Sequence, residues 1–517
     1  MEFQKIKLHR SEKNRAAVTQ ITLDDDYNVP DYRQDIVKVI KERGELRFDE
    51  VKAMEGAAWI KGSLVFKVLY RSDKQEGKIS CLRGEIPFQE RLNMDGLSEY
   101  DAVHATGDME DLTIGVINSR KLNVRAVIVL TASSEKEVDE ELTCELSDGS
   151  SYEQNIVEKE ALKLLVVRRD ICRQKSEAVL PSSKPNIREI LWQSMQLRNV
   201  ESRLVEGKIR LSGEILVSIL YNDEEEGEHL SWYETTVPLD AQAECGVMED
   251  DCIWQVQMVP LTMELEVKPD YDGEERILVM ELALDTHIRI WKEEKIRLLT
   301  DLYSLQKEVK PVFRECPMER LLVKNAAKCR MTEQMELKED KEKVLQICSC
   351  EGKVLLERQE IKPDGVLAEG TVEVNILYIT PDDHMPVGAV QEIYPFSQLV
   401  EIPEMSAQAK VELDASLEQL SAVMLDQEHV EIRAAVRLDL IAFVQEVMQN
   451  IEEATESEPD LEMLRNRPGL VGYIAKAGDD LWTIARENHT TIQNIMETNH
   501  RNCLLYTSDA ADDRISV

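Results

Sequence analysis

Aromatic residues are scarce in this chain: Phe, Trp and Tyr make up 5% of its 517 residues. Its cores must therefore be filled by Val, Leu and Ile, within a hydrophobic content of 43% that is ample for globular packing. No apolar run approaches the roughly 18 residues that a membrane-crossing helix needs. The opening Met1-Glu-Phe-Gln-Lys-Ile-Lys-Leu-His9 has no hydrophobic signal core. The expectation is a protein that stays in the compartment where it is made, with no membrane insertion. Basic charge is also short, since 62 Lys and Arg face 100 Asp and Glu and leave a net charge of −38. Nucleic acid and anionic lipid both reward clustered Lys and Arg, so neither is expected as a partner. The acidity reads first as a solvated, self-repelling surface and second as a match for a basic protein.

Cysteine pairing is missing as well. The ten cysteines form no CxxC pair and no Cys/His ladder, and only Cys348-Ser-Cys350 and Cys245/Cys252 lie close together. No zinc or other metal site is expected, and the thiols read as reduced and mostly buried in a cytosol. Enzyme signatures are absent too: there is no G-x-x-x-x-G-K-[ST] loop, no H-E-x-x-H and no G-x-S-x-G. The eight histidines, among them His104, His229, His287, His384 and His429, fall one per stretch, by turns or on mixed strands. Catalysis is not expected, and neither are cofactors.

What the chain has is a repeat. Gly62-Ser-Leu-Val-Phe-Lys-Val-Leu-Tyr70 returns as Gly213-Glu-Ile-Leu-Val-Ser-Ile-Leu-Tyr221 and as Gly370-Thr-Val-Glu-Val-Asn-Ile-Leu-Tyr378. One alternating face is wholly apolar in each copy: Leu64/Phe66/Val68/Tyr70, Ile215/Val217/Ile219/Tyr221 and Val372/Val374/Ile376/Tyr378. The other face is mixed, with Lys67, Ser218 and Asn375 in the same place. Such alternation predicts a half-buried strand. The punctuation repeats as well. Gly56 and Gly207 stand six residues ahead of the opening glycine, Asp364-Gly365 holds that place in the third copy, and Pro87, Pro238 and Pro395 follow it by 25.

In chain order, each unit begins with a strand: residues 1–10, Ala161–Val167 and Arg320–Lys324. Pro30-Asp-Tyr with Ile36, Val39 and Ile40, and Pro185-Asn-Ile with Ile187, Ile190 and Leu191, have the spacing of one or two helical turns. The third copy has Val344–Ile347 there and no Pro. After the central strand come polar turns, Arg71–Gly77, Asn222–Gly227 and Thr380–His384. A returning strand then carries Pro87, Pro238 or Pro395, which marks an edge or a bulge. A long alternating strand closes each unit at Leu122–Leu130, Ile277–Leu284 and Val430–Leu440. The fold class expected is mainly β: three tandem antiparallel, sandwich-like repeats at 1–150, 151–310 and 311–445. The mixed strand faces and Pro-marked edges leave room for partner strands to add, and equally for the repeats to pack on one another.

The segment 446–468, with Asn450-Ile-Glu-Glu-Ala-Thr-Glu-Ser-Glu-Pro459, is acidic and poor in bulky residues, and reads as a solvated linker. A small α/β module follows at 469–499. A strand at Tyr473–Lys476 runs into Gly478. Asp479 or Asp480 caps a helix burying Leu481, Ile484 and Ala485, and Thr490 or Thr491 caps a second burying Ile492 and Ile495. A second strand is then due, yet Ser508-Asp-Ala-Ala-Asp-Asp-Arg514 is a poor one. The string Leu504–Asp513 resembles translated sequencing-adapter sequence. The expectation is that residues 500–517 are non-native and that the module is truncated.

The run Tyr473-Ile-Ala-Lys-Ala-Gly-Asp-Asp-Leu-Trp-Thr-Ile-Ala485, then Thr490-Thr-Ile492 and Asn499, resembles a LysM domain of βααβ fold. The resemblance implies partner or glycan contacts at Lys476, Gly478, Asp479, Asp480, Leu481, Trp482 and Asn499. At Trp482 a partly buried packing role weighs at least equally, and Asn499 alternatively caps the second helix. The β repeats, with their Pro-Asp or Pro-Asn-Ile starts and Gly-to-Tyr strands, are similar to SPOCS domains. Three SPOCS repeats followed by LysM resemble the SipL-like spore coat morphogenetic proteins. That implies a scaffold in spore coat assembly, in the mother-cell cytoplasm at the forespore surface. Its implied partners are the coat's basement-layer ATPase (stage IV sporulation protein A), bound through the LysM, and other coat proteins. The alternative is a LysM that binds peptidoglycan or other N-acetylglucosamine polymers.

Overall fold

The structure is a computed structural model that describes residues 1–72, 77–148, 151–224, 229–249, 251–337, 343–406, 408–459, 471–476, 478–499 and 514–516. Among the described residues, eighteen long strands come in three sets of six. The first set is β1 (Phe3–Asn28), β2 (Lys38–Met54), β3 (Ala57–Arg71), β4 (Ile79–Asn93), β5 (Val103–Asn118) and β6 (Lys121–Leu146). The second is β7 (Glu153–Val179), β8 (Ile187–Val205), β9 (Lys208–Asp223), β10 (Leu230–Glu244), β11 (Cys252–Pro269) and β12 (Glu275–Tyr303). The third is β13 (Glu308–Glu336), β14 (Gln346–Lys362), β15 (Gly365–Ile379), β16 (Val387–Glu401), β17 (Ala409–Met424) and β18 (His429–Ser457). Each set makes two three-stranded antiparallel sheets, an outer one ordered β1-β6-β5 and an inner one ordered β2-β3-β4, with the same orders in the other sets. A shared apolar core joins the two sheets, so each repeat is a six-stranded sandwich.

The recurring Gly-to-Tyr stretch is the central strand of every inner sheet. Its apolar face is shut from water: Leu64, Phe66, Val68, Tyr70, Val372 and Val374 are each 0% exposed. The hydroxyl of Tyr70 donates to the carbonyl of Gln34, and that of Tyr221 to the carbonyl of Pro185, both at 3.1 Å. A buried phenol needs such a partner. The opening glycine is required by close approach. A Cβ at Gly62 would lie 2.4 Å from the Arg47 carbonyl, and one at Gly370 would lie 2.2 Å from the Leu355 carbonyl. Pro87, Pro238 and Pro395 sit on β4, β10 and β16, at sheet edges where a missing N–H costs nothing.

Several expectations need correction. The Pro-started segments are not helical: Ile36 precedes β2 as a buried residue, while Val39, Ile40, Ile187, Ile190 and Leu191 lie in β2 and β8. A bulge falls between Val39 and Lys41, between Ile190 and Trp192, and between Ile347 and Ser349. One extra residue moves the next apolar side chain to the other parity, so period two imitates i, i+3, i+4 spacing. The acidic stretch from 446 is not a solvated linker as far as Ser457. It continues β18 and pairs with β13 from Glu308 onward, because Asn450 and Ile451 turn inward (2% and 0% exposed) while the glutamates face water. The rest of that segment, 460–468, lies outside the described residues. Of the expected polar turns, 73–76 and 225–228 also lie outside them. The third turn closes its hairpin through the Thr380 N–H to Pro386 carbonyl bond.

The repeats pack on one another as a closed ring. The last inner strand of each set lies beside the first inner strand of the next: β4 by β8, β10 by β14, and β16 by β2. In the outer sheets, β6, β12 and β18 pack mutually. Leu69, Leu191, Trp192, Leu220, Cys348 and Leu377, drawn from all three repeats, form one buried cluster. A small module follows, with β19 (Gly472–Ile474), α1 (Leu481–Glu487), α2 (Ile492–Thr498) and β20 (Arg514–Ser516). The three-residue β20 pairs antiparallel with β19 at Tyr473 and Ile515, while residues 500–513, the rest of the expected tail, lie outside the described residues.

Candidate functional site

Two places gather chemistry-bearing side chains: the seams of the ring and the C-terminal module. At the inner seam, Glu351 of β14 is buried and accepts from Lys41 Nζ at 3.0 Å, Trp192 Nε1 at 3.0 Å and Arg43 Nη1 at 3.2 Å. Burial alone would push its carboxyl up, but the Lys41 and Arg43 charges and the Trp192 hydrogen bond outweigh it and hold it below the usual range. Lys41 also stands 5.1 Å from the Trp192 ring centroid, within cation–π reach. These partners come from three different repeats.

At the outer seam, Glu135 of β6 meets His287 of β12 at 3.0 Å, and Arg289 joins Glu135 to Glu412 of β17. Burial would raise Glu135, yet hydrogen bonds from His287 and Ser11 and the Arg289 charge bring it down to about 2. The His104 ring lies 6.4 Å from that of His287. Burial, reinforced by the Arg169 and His287 charges, pushes His104 down to about 4. Deeper in, Asn450 of β18 accepts from the Thr143 N–H and donates to the carbonyls of Thr143 and Leu299, stitching β6, β12 and β18 together. Spacing along the chain gives no sign of these groupings, because the bonded partners are 123 to 310 residues apart. Burial pushes the Cys348 and Cys350 thiols up to about 12, which leaves them unreactive. Among the described residues no His, Cys, Asp or Glu group has the arrangement of a metal site, and no helix is long and apolar enough to cross a membrane.

In the C-terminal module Ala475, Ile484, Ala485 and Ile495 make a small core, with Leu481 and Ile492 packed against it. Asp480 is the cap of α1, its side chain accepting from the Thr483 N–H at 2.8 Å. Asp479 has a different task, accepting from the Lys476 N–H at 2.8 Å and the Tyr473 hydroxyl at 2.9 Å. Those bonds hold its carboxyl below the ordinary range and shape the turn, where Gly478 has φ +96°. Thr491 caps α2 by accepting from the Asn494 N–H at 3.0 Å. Asn499 ends that helix and donates to the Ile495 carbonyl at 2.8 Å. Lys476, Gly478 and Asp480 are exposed, and Leu481 is half-buried. Trp482 points the other way. Its indole N–H donates to Asp301 of β12 at 2.8 Å, and its ring meets Tyr303 edge-on with centroids 4.9 Å apart. The expected residues therefore divide between an outward turn and an inward ring.

These features define a tandem β-sandwich protein with a small βααβ module at its end. Residues 35–117, 186–268 and 343–425 match the SipL, SPOCS domain family, and residues 473–503 match the LysM domain family. The chain belongs to the SipL-like proteins, three SPOCS repeats followed by LysM. Each SPOCS match spans the inner sheet and the outer edge strand, leaving out the paired long strands such as β1 and β6. No curated protein matches the chain. One solved structure, the ferric yersiniabactin uptake receptor FyuA from Yersinia pestis, aligns over 86% of this chain and 79% of that one at 9% identity. Its TM-score of 0.09 carries no argument about fold. SPOCS and LysM are families of non-catalytic domains, and their combination assigns the chain a sporulation-related role in binding coat or envelope.

Proposed function

We propose that the chain is a non-enzymatic scaffold of the spore coat, bound through its LysM to the coat's basement-layer ATPase, stage IV sporulation protein A. It acts in the mother-cell cytoplasm, at the forespore surface, where its repeats meet other coat proteins. The observation that carries this reading is the division within the LysM. The ring best suited to stacking on a sugar, Trp482, is engaged by Asp301 and Tyr303. The outward residues are instead Lys476, Gly478 and Asp480, polar or small and suited to hydrogen bonding with a protein surface. A ring of three sandwiches with a recognition module at one end lets several weak contacts act together, as assembly of a shell requires.

The test is a pull-down of the ATPase with the full chain and with a form ending at Asp460, which keeps all of β18. Binding by the full form alone is the expected result. Binding by both forms would move the contact to the repeats. A second reading, in which the LysM binds peptidoglycan, is favoured by the LysM match itself. Sedimentation of the full chain with purified peptidoglycan, without capture of the ATPase, would establish that reading in place of the first.

A further inference from the structure

One carboxylate and one tyrosine of β12 seat the LysM on the ring. Asp301, in the last turn of the β12 ladder and 9% exposed, uses its two oxygens for two different elements. Its Oδ1 accepts from the Leu302 N–H of its own strand at 2.9 Å. Its Oδ2 accepts from Trp482 Nε1 at 2.8 Å and from Arg486 Nη1 at 2.7 Å. Trp482 and Arg486 are four apart on α1 and so share one helix face. Two residues along β12, Tyr303 packs its ring on Trp482 and donates its hydroxyl to the Thr490 carbonyl at 2.8 Å. Burial, with the Glu153 and Asp301 charges, pushes that phenol up to about 12, so it remains a donor.

We propose that Asp301 is a latch between a docked and a released LysM, and that the docked state withholds Trp482 from any outside ligand. The contact is small. It rests on a few polar bonds and one ring pair, and the module has its own core to keep it folded when undocked. Within a chain, interfaces that are not large and hydrophobic move by default. A ligand that needs the indole gains access only to the released fraction, and its apparent affinity is reduced by that fraction. The gating part of the proposal rests on the LysM being the binding end, whereas docking itself does not.

The chemistry supplies a sharp variant. Asp301→Asn keeps the shape but has one acceptor oxygen for two acceptor places. Whichever way the amide turns, an N–H faces either the Leu302 N–H or the Trp482 and Arg486 donors. The experiment uses the full chain as wild type, Asp301→Asn and Tyr303→Phe, each with and without Trp482→Phe. The difference within each pair isolates Trp482, and acrylamide quenching of it is read without ligand. Retention of an N-acetylglucosamine hexamer and of the coat ATPase is then measured on the forms that keep Trp482. Asp301→Asn is expected to raise Trp482 quenching several-fold. It is also expected to tighten whichever probe uses the indole by about tenfold, the scale of a lost hydrogen bond to a charged group. Tyr303→Phe, which removes one hydroxyl only, is expected to move both readouts the same way by less, and it decides the question should Asp301→Asn not fold. Unchanged quenching in both variants overturns the latch. Raised quenching with no gain for either probe shows that the contact only positions the module, and overturns the gating. Binding of neither probe by any form overturns the gating together with the functional reading above, while the quenching result still decides docking.

Discussion

The inside of each repeat and the seam between repeats obey different rules. Inside, equivalent positions carry the same kind of residue: Tyr70, Tyr221 and Tyr378 are all buried, and Val68, Ile219 and Ile376 share one face. At the seam, equivalent positions diverge. Counting from the same bulge, Lys41, Trp192 and Ser349 correspond, and so do Arg43, Ser194 and Glu351. Three copies of one residue at such an axis would place like beside like, and three buried lysines or three buried glutamates would repel. Different residues make a single complementary set, in which Glu351 of the third repeat receives Lys41 and Arg43 of the first and Trp192 of the second. The interiors make three similar sandwiches. The seam makes one ring with its repeats in one order, a use of buried polar groups for specificity more than for stability.

Substitutions separate the two rules, beginning with the strongest. Glu351→Ala leaves the buried Lys41 ammonium and the Trp192 indole N–H without their acceptor, while half-exposed Arg43 keeps Glu45, and is expected to cost about 3–5 kcal/mol in denaturant unfolding. Asn450→Ala strips the outer seam of three hydrogen bonds and strands buried backbone groups of Thr143 and Leu299, for about 1–3 kcal/mol in the same assay. Ile219→Val and Ile376→Val each delete one methyl from a repeat interior. They are expected to cost about 0.5–1.5 kcal/mol and to agree with each other, as the interior rule demands. Acid acts on the outer seam. With His104 held near 4 against an ordinary 6.5, stability is full above pH 6.5 and falls as the pH drops toward 4. Glu135, held near 2 against 4.5, continues the loss from about pH 4.5 down to 2. Thermal midpoints measured across that range are expected to fall throughout, and His104→Asn is expected to flatten the upper part alone. Weakest of all, Arg210→Ala breaks an exposed pair with Asp240 and is expected to leave the midpoint where it was.

What the sequence makes legible follows from locality. The Gly-to-Tyr strands, the Pro-marked edges, the caps at Asp480 and Thr491 and the helix faces of the LysM all depend on neighbours within a few residues, and all can be read from spacing. The β2 and β8 starts mislead because a bulge changes parity in mid-strand. The segment 446–457 misleads because its glutamates hide the inward residues Met448, Asn450, Ile451 and Ala454, whose alternation a register shift breaks, and its partner strand lies more than a hundred residues earlier. The exposed turn of the LysM at Gly478 to Asp480 is legible on the same local terms. For Trp482 the packing alternative is legible but its partner is not, since nothing near it in the chain announces that Asp301, 181 residues away, accepts its indole N–H.

Hydrogen exchange on the full chain carrying Glu351→Gln tests the ring most directly. The substitution keeps the side-chain shape and removes the charge that Lys41 and Arg43 share. If the seam joins three repeats into one body, protection should fall together in β2, β8 and β14. Loss confined to β14, with β2 and β8 as protected as in the parent chain, would mean that the sandwiches are independent units and that the seam specifies nothing.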